Sequence, residues 1–292
     1  MKTGFAKAIF ILLIVSISIC NKVSASVPNA ASDTSKKTLL AENSITKQVV
    51  IKEANVLFPE IISGHEEQSL DYIEKFASNR RSYLVNIFTK AKHYFPKAKS
   101  VLAKYNVPEE YVVLMALESG FNGNAVSSAG AVGYWQFMGD VAREYGLKVG
   151  AKKIENKTII KKGKKVTITK KRATVDDRKN FIKSTIAAAQ YLQDRMRNLN
   201  NDWLLVAASY NWGIGNVWDA MKRTGLASPG FWDIKKYLPT ETKAYVMNFI
   251  TLNVIAKNYD NFKNNNLTFR NILAEAPVDA FNIAMPSLVL MD

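Results

Sequence analysis

From about residue 69 to residue 258, apolar side chains recur at helical spacing, and the pattern fails in two places. Nothing else in the chain constrains its fold as much, because a core drawn from such segments must be built by packing helix on helix. Ser69 to Ala77 reads as a short helix, and Arg81 to Tyr105 as a longer one with Tyr83, Ile87, Ala91 and Tyr94 on one stripe. Pro108 marks a helix start, where its missing N–H costs nothing, and the run EEYVVLMALES continues to a stop at Gly120. Further helices are expected at 180–199, with Ala188, Leu192, Met196 and Leu199 on one face, and at Asp202 to Tyr210. A last one runs from about Glu241 to Asn258, with Tyr245, Phe249, Leu252 and Ala256 in register.

The two interruptions differ in kind. Residues 120–138 are rich in Gly, Ser, Ala and Asn and have no period; a shaped loop of that length inside a helical domain is usually functional. The second, KTIIKKGKKVTITKK, places β-branched residues on both sides of Lys-Lys-Gly-Lys-Lys, which is a hairpin signal. The expected class is therefore all-α with one small basic β-hairpin inserted. After Leu267 no long element is expected.

That insertion also explains the charge. A formal net charge of +15 suggests a nucleic-acid binder until it is localised. Ten basic residues against the single acid Glu155 lie between Lys152 and Arg172, and Lys2, Lys7 and Lys22 lie in the N-terminal leader, so all but three of the net charges belong to these two segments. The nearly balanced body argues against nucleic acid as the partner.

The leader MKTGFAKAIFILLIVSISICNKVSAS combines lysines, an apolar stretch from Ala8 to Cys20 and a small-residue cleavage site at Val23-Ser24-Ala25. It reads as a secretory signal peptide over residues 1–25, too short for a comfortable membrane span. Residues 26–68 are expected to be a flexible linker and N-terminal extension. Cys20 is the only cysteine, and Ile19 before it argues against lipid attachment. Cleavage after Ala25 would leave no cysteine for disulfides, thiolate metal sites or nucleophilic catalysis. His65 and His93 have no partners at ligand spacing, so no metal site and no cofactor is expected.

Glu118 stands out chemically. It ends an apolar helix after Val112, Val113, Met115, Ala116 and Leu117, where desolvation and the negative helix end both raise a carboxyl pKa. A general acid working near neutral pH needs that shift. The loop that follows carries Ser127, Gln136, Trp135, Phe137 and Met138, the makings of a sugar cleft, with Phe137 assigned to the core and Trp135 open to either role. Asp140 and Glu144 fall on an amphipathic stretch and read as solvated. Downstream, ASYNWGIG sets Tyr210 and Asn211 at the end of a second apolar helix before a Gly-rich turn.

Together, ESGFN, GAVGYWQFM, ASYNWGIG, DDRKNFIKSTIAAAQYL and LPTETKAYV resemble the lytic transglycosylases with an SLT, goose-lysozyme-like catalytic domain, over roughly residues 75–258. LPTETKAYV and the helices before Pro108 are most similar to a membrane-bound subgroup. The resemblance implies a lysozyme-like helical catalytic domain at 69–265, followed by a tail at 266–292. It implies Glu118 as the acid, Ser127, Gln136, Met138, Tyr210 and Asn211 as residues around the substrate, and Tyr245 as a tyrosine reaching towards Glu118. The implied reaction cuts the bond between MurNAc and GlcNAc in peptidoglycan without water, leaving a 1,6-anhydro end. The insertion at 152–172 departs from the family, as does the lack of a recognisable LysM repeat. Two other readings share these residues: a hydrolysing muramidase, separable by its product ends, and a non-catalytic peptidoglycan-binding module. The insertion itself reads either as a solvated loop or as a peripheral contact with the anionic envelope surface.

Overall fold

The structure, a computed structural model, describes residues 49–150, 153–161, 164–172 and 175–275. The expected signal peptide, Cys20 and most of the expected C-terminal tail lie outside these residues. The described helices are α1 (Glu66–Asn79), α2 (Arg81–Lys104), α3 (Leu114–Ser119), α4 (Gly139–Glu144), α5 (Phe181–Asn198), α6 (Trp203–Trp212), α7 (Ile214–Lys222), α8 (Phe231–Ile234), α9 (Thr240–Lys257) and α10 (Tyr259–Lys263). Strands β1 (Val49–Lys52), β2 (Lys153–Lys161), β3 (Lys164–Arg172) and β4 (Ile272–Glu275) form two antiparallel ribbons, β1 with β4 and β2 with β3. The mostly helical class and the inserted hairpin agree with the sequence reading. No helix among the described residues is long and apolar enough to cross a membrane.

Val56–Phe269 make up one unit, and its core is organised on α9. Val246, Met247 and every residue from Phe249 to Ile255 are buried, so this helix is covered on nearly all sides, with α1, α3 and α6 packed against it. Helix α6 is similar: Leu204 to Ser209 are all buried. A helix apolar on every side belongs in the middle of a bundle. Asp202 starts α6 by accepting hydrogen bonds from the N–H groups of Leu204 and Leu205 at 2.9 and 2.8 Å.

Three local expectations change. The buried stripe of α2 is Leu84, Ile87, Phe88, Ala91, Ala98 and Leu102, whereas Tyr83 is 50% exposed. The stripe is thus rotated by one position, which puts Tyr83 beyond its edge. The run after Pro108 is not one α-helix: Glu109–Val113 form a tight 3-10 segment before α3 begins. Because Tyr111 to Ala116 are all buried, periodicity carries no information there. Third, Val49–Lys52 from the expected linker and Ile272–Glu275 from the expected tail pair with each other, Val50 opposite Ala274 and Ile51 opposite Leu273, in a second unit with the side chain of Asn271 bonded to the Ala54 N–H.

Helix α3 stops as expected. Gly120 takes φ +57°, and the N–H groups of Gly120 and Phe121 return to Ala116 and Met115. The basic hairpin is regular from Lys153 opposite Arg172 to Lys161 opposite Lys164, with Ile160 and Lys165 exposed near its tip.

Candidate active site

The short helix α3 ends where α9 passes it, and this crossing positions the carboxyl of Glu118. Glu118 is only 9% exposed. Tyr245, one turn into α9, donates its hydroxyl to Glu118 Oε1 at 2.6 Å. Burial raises the Glu118 pKa from 4.5 to about 7, and the Tyr245 hydrogen bond, which favours the ionised form, opposes the shift. Such a carboxyl can both give and take a proton near neutrality.

Around it stand phenols that burial keeps protonated. Burial and then the charge of Glu118 hold the hydroxyls of Tyr210 and Tyr245 well above their ordinary pKa, and burial also raises Tyr191. Tyr210 donates to the backbone carbonyl of Trp135 at 2.7 Å and meets the Tyr191 ring edge-on at 5.3 Å. Tyr191, on α5, is capped by the Arg195 guanidinium 4.5 Å from its ring centre.

The loop from 120 to 138 is fixed by its own backbone and by one arginine. Val132 bridges to both Val126 and Phe137. Ser119 ties the end of α3 to the loop by donating to the Tyr134 carbonyl at 2.8 Å. Buried Arg178 forms a two-pronged pair with Asp176 and donates to the carbonyls of Phe137 and Gly130 at 3.0 and 3.3 Å. Gly133, at φ +89°, packs so closely that a Cβ there would stand 2.0 Å from the Arg178 carbonyl oxygen.

The residues singled out from the sequence land as follows. Glu118 and Tyr245 are in direct contact, and Tyr210 is close enough for its hydroxyl to feel the Glu118 charge. Gln136, at φ +50° and 7% exposed, donates through Nε2 to the carbonyls of Gly133 and Ala125, while its buried Oε1 has no partner among the described residues. Ser127 and Met138 are half-buried. Ser127 accepts the Ala131 N–H within the loop, and Met138 precedes α4. Asn211 ties α6 to α9 by accepting the Thr242 hydroxyl at 2.9 Å. Trp135 is fully buried and donates to Thr185, so it belongs to the core and offers no face for a sugar; Phe137 is core as expected. Asp140 and Glu144 are exposed. Asp177, the other buried carboxylate among the described residues, is paired with Lys183 at 2.8 Å.

Sequence reasoning missed Tyr191, Arg178 and Thr242. The acid pair beside Arg178 in DDRK was a visible hint of a clamp, but the carbonyls it holds lie more than 40 positions away. Among the described residues no three His, Cys, Asp or Glu side chains converge as a metal site requires.

Residues 97–229 match the Transglycosylase SLT domain family. That stretch contains every site residue named above except Tyr245 and Thr242. Over 187 residues the chain is 33% identical to membrane-bound lytic murein transglycosylase D of Escherichia coli K12, and equally to that of a uropathogenic strain. The alignment covers 63% of this chain and 36% of each relative, so the chain spans about a third of the proteins it matches. Solved structures to which the chain is similar include an inactive mutant of the lytic transglycosylase Slt of Pseudomonas aeruginosa, at TM-score 0.43 and 19% identity over 61% of this chain and 26% of that one. The 70 kDa soluble lytic transglycosylase of E. coli follows at TM-score 0.41 and 16% identity, over 70% and 32% of the two chains.

Proposed function

We propose that this chain, which carries a transglycosylase SLT domain, is an exported lytic transglycosylase that cuts the glycan strands of peptidoglycan. The observation that carries this reading is the isolation of Glu118: a buried carboxyl with a pKa of about 7 and, among the described residues, no second buried carboxylate beside it. A hydrolase that retains or inverts configuration ordinarily works with a pair of carboxylates. A single acid is enough when the substrate supplies its own nucleophile.

In the proposed reaction, protonated Glu118 gives its proton to the oxygen linking MurNAc C1 to the next GlcNAc, and the C1–O bond breaks. The Glu118 carboxylate then takes the proton of the MurNAc C6 hydroxyl, whose oxygen bonds to C1. The enzyme regains its proton, and no water enters. Tyr245 steadies the ionised form between the two steps through its 2.6 Å hydrogen bond. Gln136 Oε1, buried and unpartnered, is a fixed acceptor for a substrate N–H or hydroxyl, with its orientation set by the two carbonyls that hold Nε2. Met138 lines the cleft, while Ser127 and Asn211 shape the loop and the helix end on which it rests. The relatives' names, which describe murein transglycosylases, support the substrate class.

Mass analysis of fragments released from purified sacculi tests the reading. Ends lighter by one water, with a 1,6-anhydro ring, are expected. Reducing ends would make the protein a muramidase, and no release at all would leave a binding module.

A further inference from the structure

At the end of α6 away from Tyr210, a cavity of about 510 Å³ opens between the Asn200–Asn201 turn and α8. Helix α6 rises about 15 Å over its 10 residues, and the cavity shares no residue with the shell around Glu118. Its aromatic walls are Trp203 and Trp232, both half-buried. His65 stacks on the Trp232 ring at 4.6 Å and the Lys235 ammonium stands 4.4 Å from the same ring, which holds the indole in one orientation.

The polar lining divides in two. Asp202 is committed to the N–H groups of Leu204, Leu205 and Phe231, and Asp233 to that of Gly230. Asn200, Asn201 and Glu60 are exposed, and their side chains make no hydrogen bond or ion pair among the described residues. Three carboxylates line the cavity, which disfavours a phosphate or carboxylate ligand. The indole of Trp203 and the part of Trp232 left uncovered by His65 and Lys235, beside free amides and a free carboxylate, suit a ring with one apolar face and several hydroxyl and N–H donors.

We propose that this cavity is a second glycan-binding site, which takes an N-acetylated amino-sugar ring of the strand at a distance from the bond being cut. The inference rests on the glycan reading of the Glu118 cleft, because a polymer offers repeated rings and a second contact on one strand raises its effective concentration at the first.

The test uses the full chain. In Glu118→Gln protein, N-acetylglucosamine oligomers are titrated while the indole N–H signals of Trp203 and Trp232 are followed by NMR. Both signals are expected to shift. In protein with Glu118 intact, Trp232→Ala should weaken retention on sacculi about tenfold and leave the cleavage of short glycan fragments unchanged. Asn200→Gly/Asn201→Gly should act in the same direction; glycine accepts their φ of +52° and +57° and removes only the amides. Indole signals that ignore the sugars, or respond only to a simple amine, would overturn the second site, as would equal retention of variants and parent. If the parent itself releases no glycan fragment, the reading of the Glu118 cleft fails instead.

Discussion

The hydroxyl of Tyr245 donates to Glu118 Oε1 across 127 positions of sequence at 2.6 Å, the only hydrogen bond to that carboxyl among the described residues. Burial and this bond act in opposite directions on Glu118, and burial prevails.

Replacing Glu118 with Gln should keep the fold and glycan binding while lowering release of anhydro-muropeptides by roughly 10²- to 10⁴-fold or more. Substantial residual cleavage measured by mass analysis would refute the one-acid mechanism. In the parent, the first step needs the protonated carboxyl, so the rate should fall as pH rises through about 7.

The same variant makes a prediction for stability. Glu118 ionises near 4.5 when unfolded and near 7 when folded. Between those values the unfolded state has released the proton that the folded state retains, so stability declines as pH rises through the window and levels off above it. Glu118→Gln removes this loss. Urea melts should show the variant more stable by on the order of 1–3 kcal/mol at pH 8 and nearly unchanged at pH 4.

Tyr245→Phe removes the one contact that favours the ionised carboxylate. The Glu118 pKa should rise further, moving the alkaline limb of the pH–rate profile upward, and the rate near its optimum should drop about ten- to hundredfold. A profile that keeps its midpoint would show that the phenol does not act through the carboxyl.

Two glycines in one loop should respond differently to alanine. Gly130 has φ +88° and open space around its Cβ position, so Gly130→Ala should cost about 1 kcal/mol of backbone strain. Gly133 has φ +89° and would drive its Cβ into the Arg178 carbonyl, so Gly133→Ala should cost about 3 kcal/mol or more and reduce activity as the loop shifts. Equal losses in denaturant titrations would remove the Arg178 backbone as the reason for glycine.

Replacing Lys161, Lys162, Lys164 and Lys165 with Ser tests the basic insertion as an electrostatic tether to the carboxylates of peptidoglycan stems. Retention on sacculi should fall most at low salt, because the field of exposed charges is screened within about 8 Å at physiological ionic strength. Turnover of short uncharged fragments should be unaffected. Identical salt titrations for variant and parent would reduce the insertion to a solvated loop.

The sequence by itself determined that α1, α2, α5, α6 and α9 are helical, where α3 stops, and that residues 120–138 and 152–172 break the pattern; α7, α8 and α10 were not read from it. Each of these follows from local physics: side-chain period, the left-handed preference of Gly120, and β-branched residues flanking a lysine-rich turn. It also marked Glu118 as a desolvated carboxyl, since an acid at the end of an apolar helix is visible without a fold. The tertiary structure alone decided the rest. Period reports that a face is apolar and leaves open what covers it, so the burial of Trp135 against Thr185 could not be read from the chain, nor could the Arg178 clamp on the loop. The all-buried run from Tyr111 to Ala116 has no period to read, which is why the 3-10 segment before α3 was hidden. The β1–β4 ribbon joins segments more than 200 positions apart, each too short to announce itself, and only pairing makes them strands.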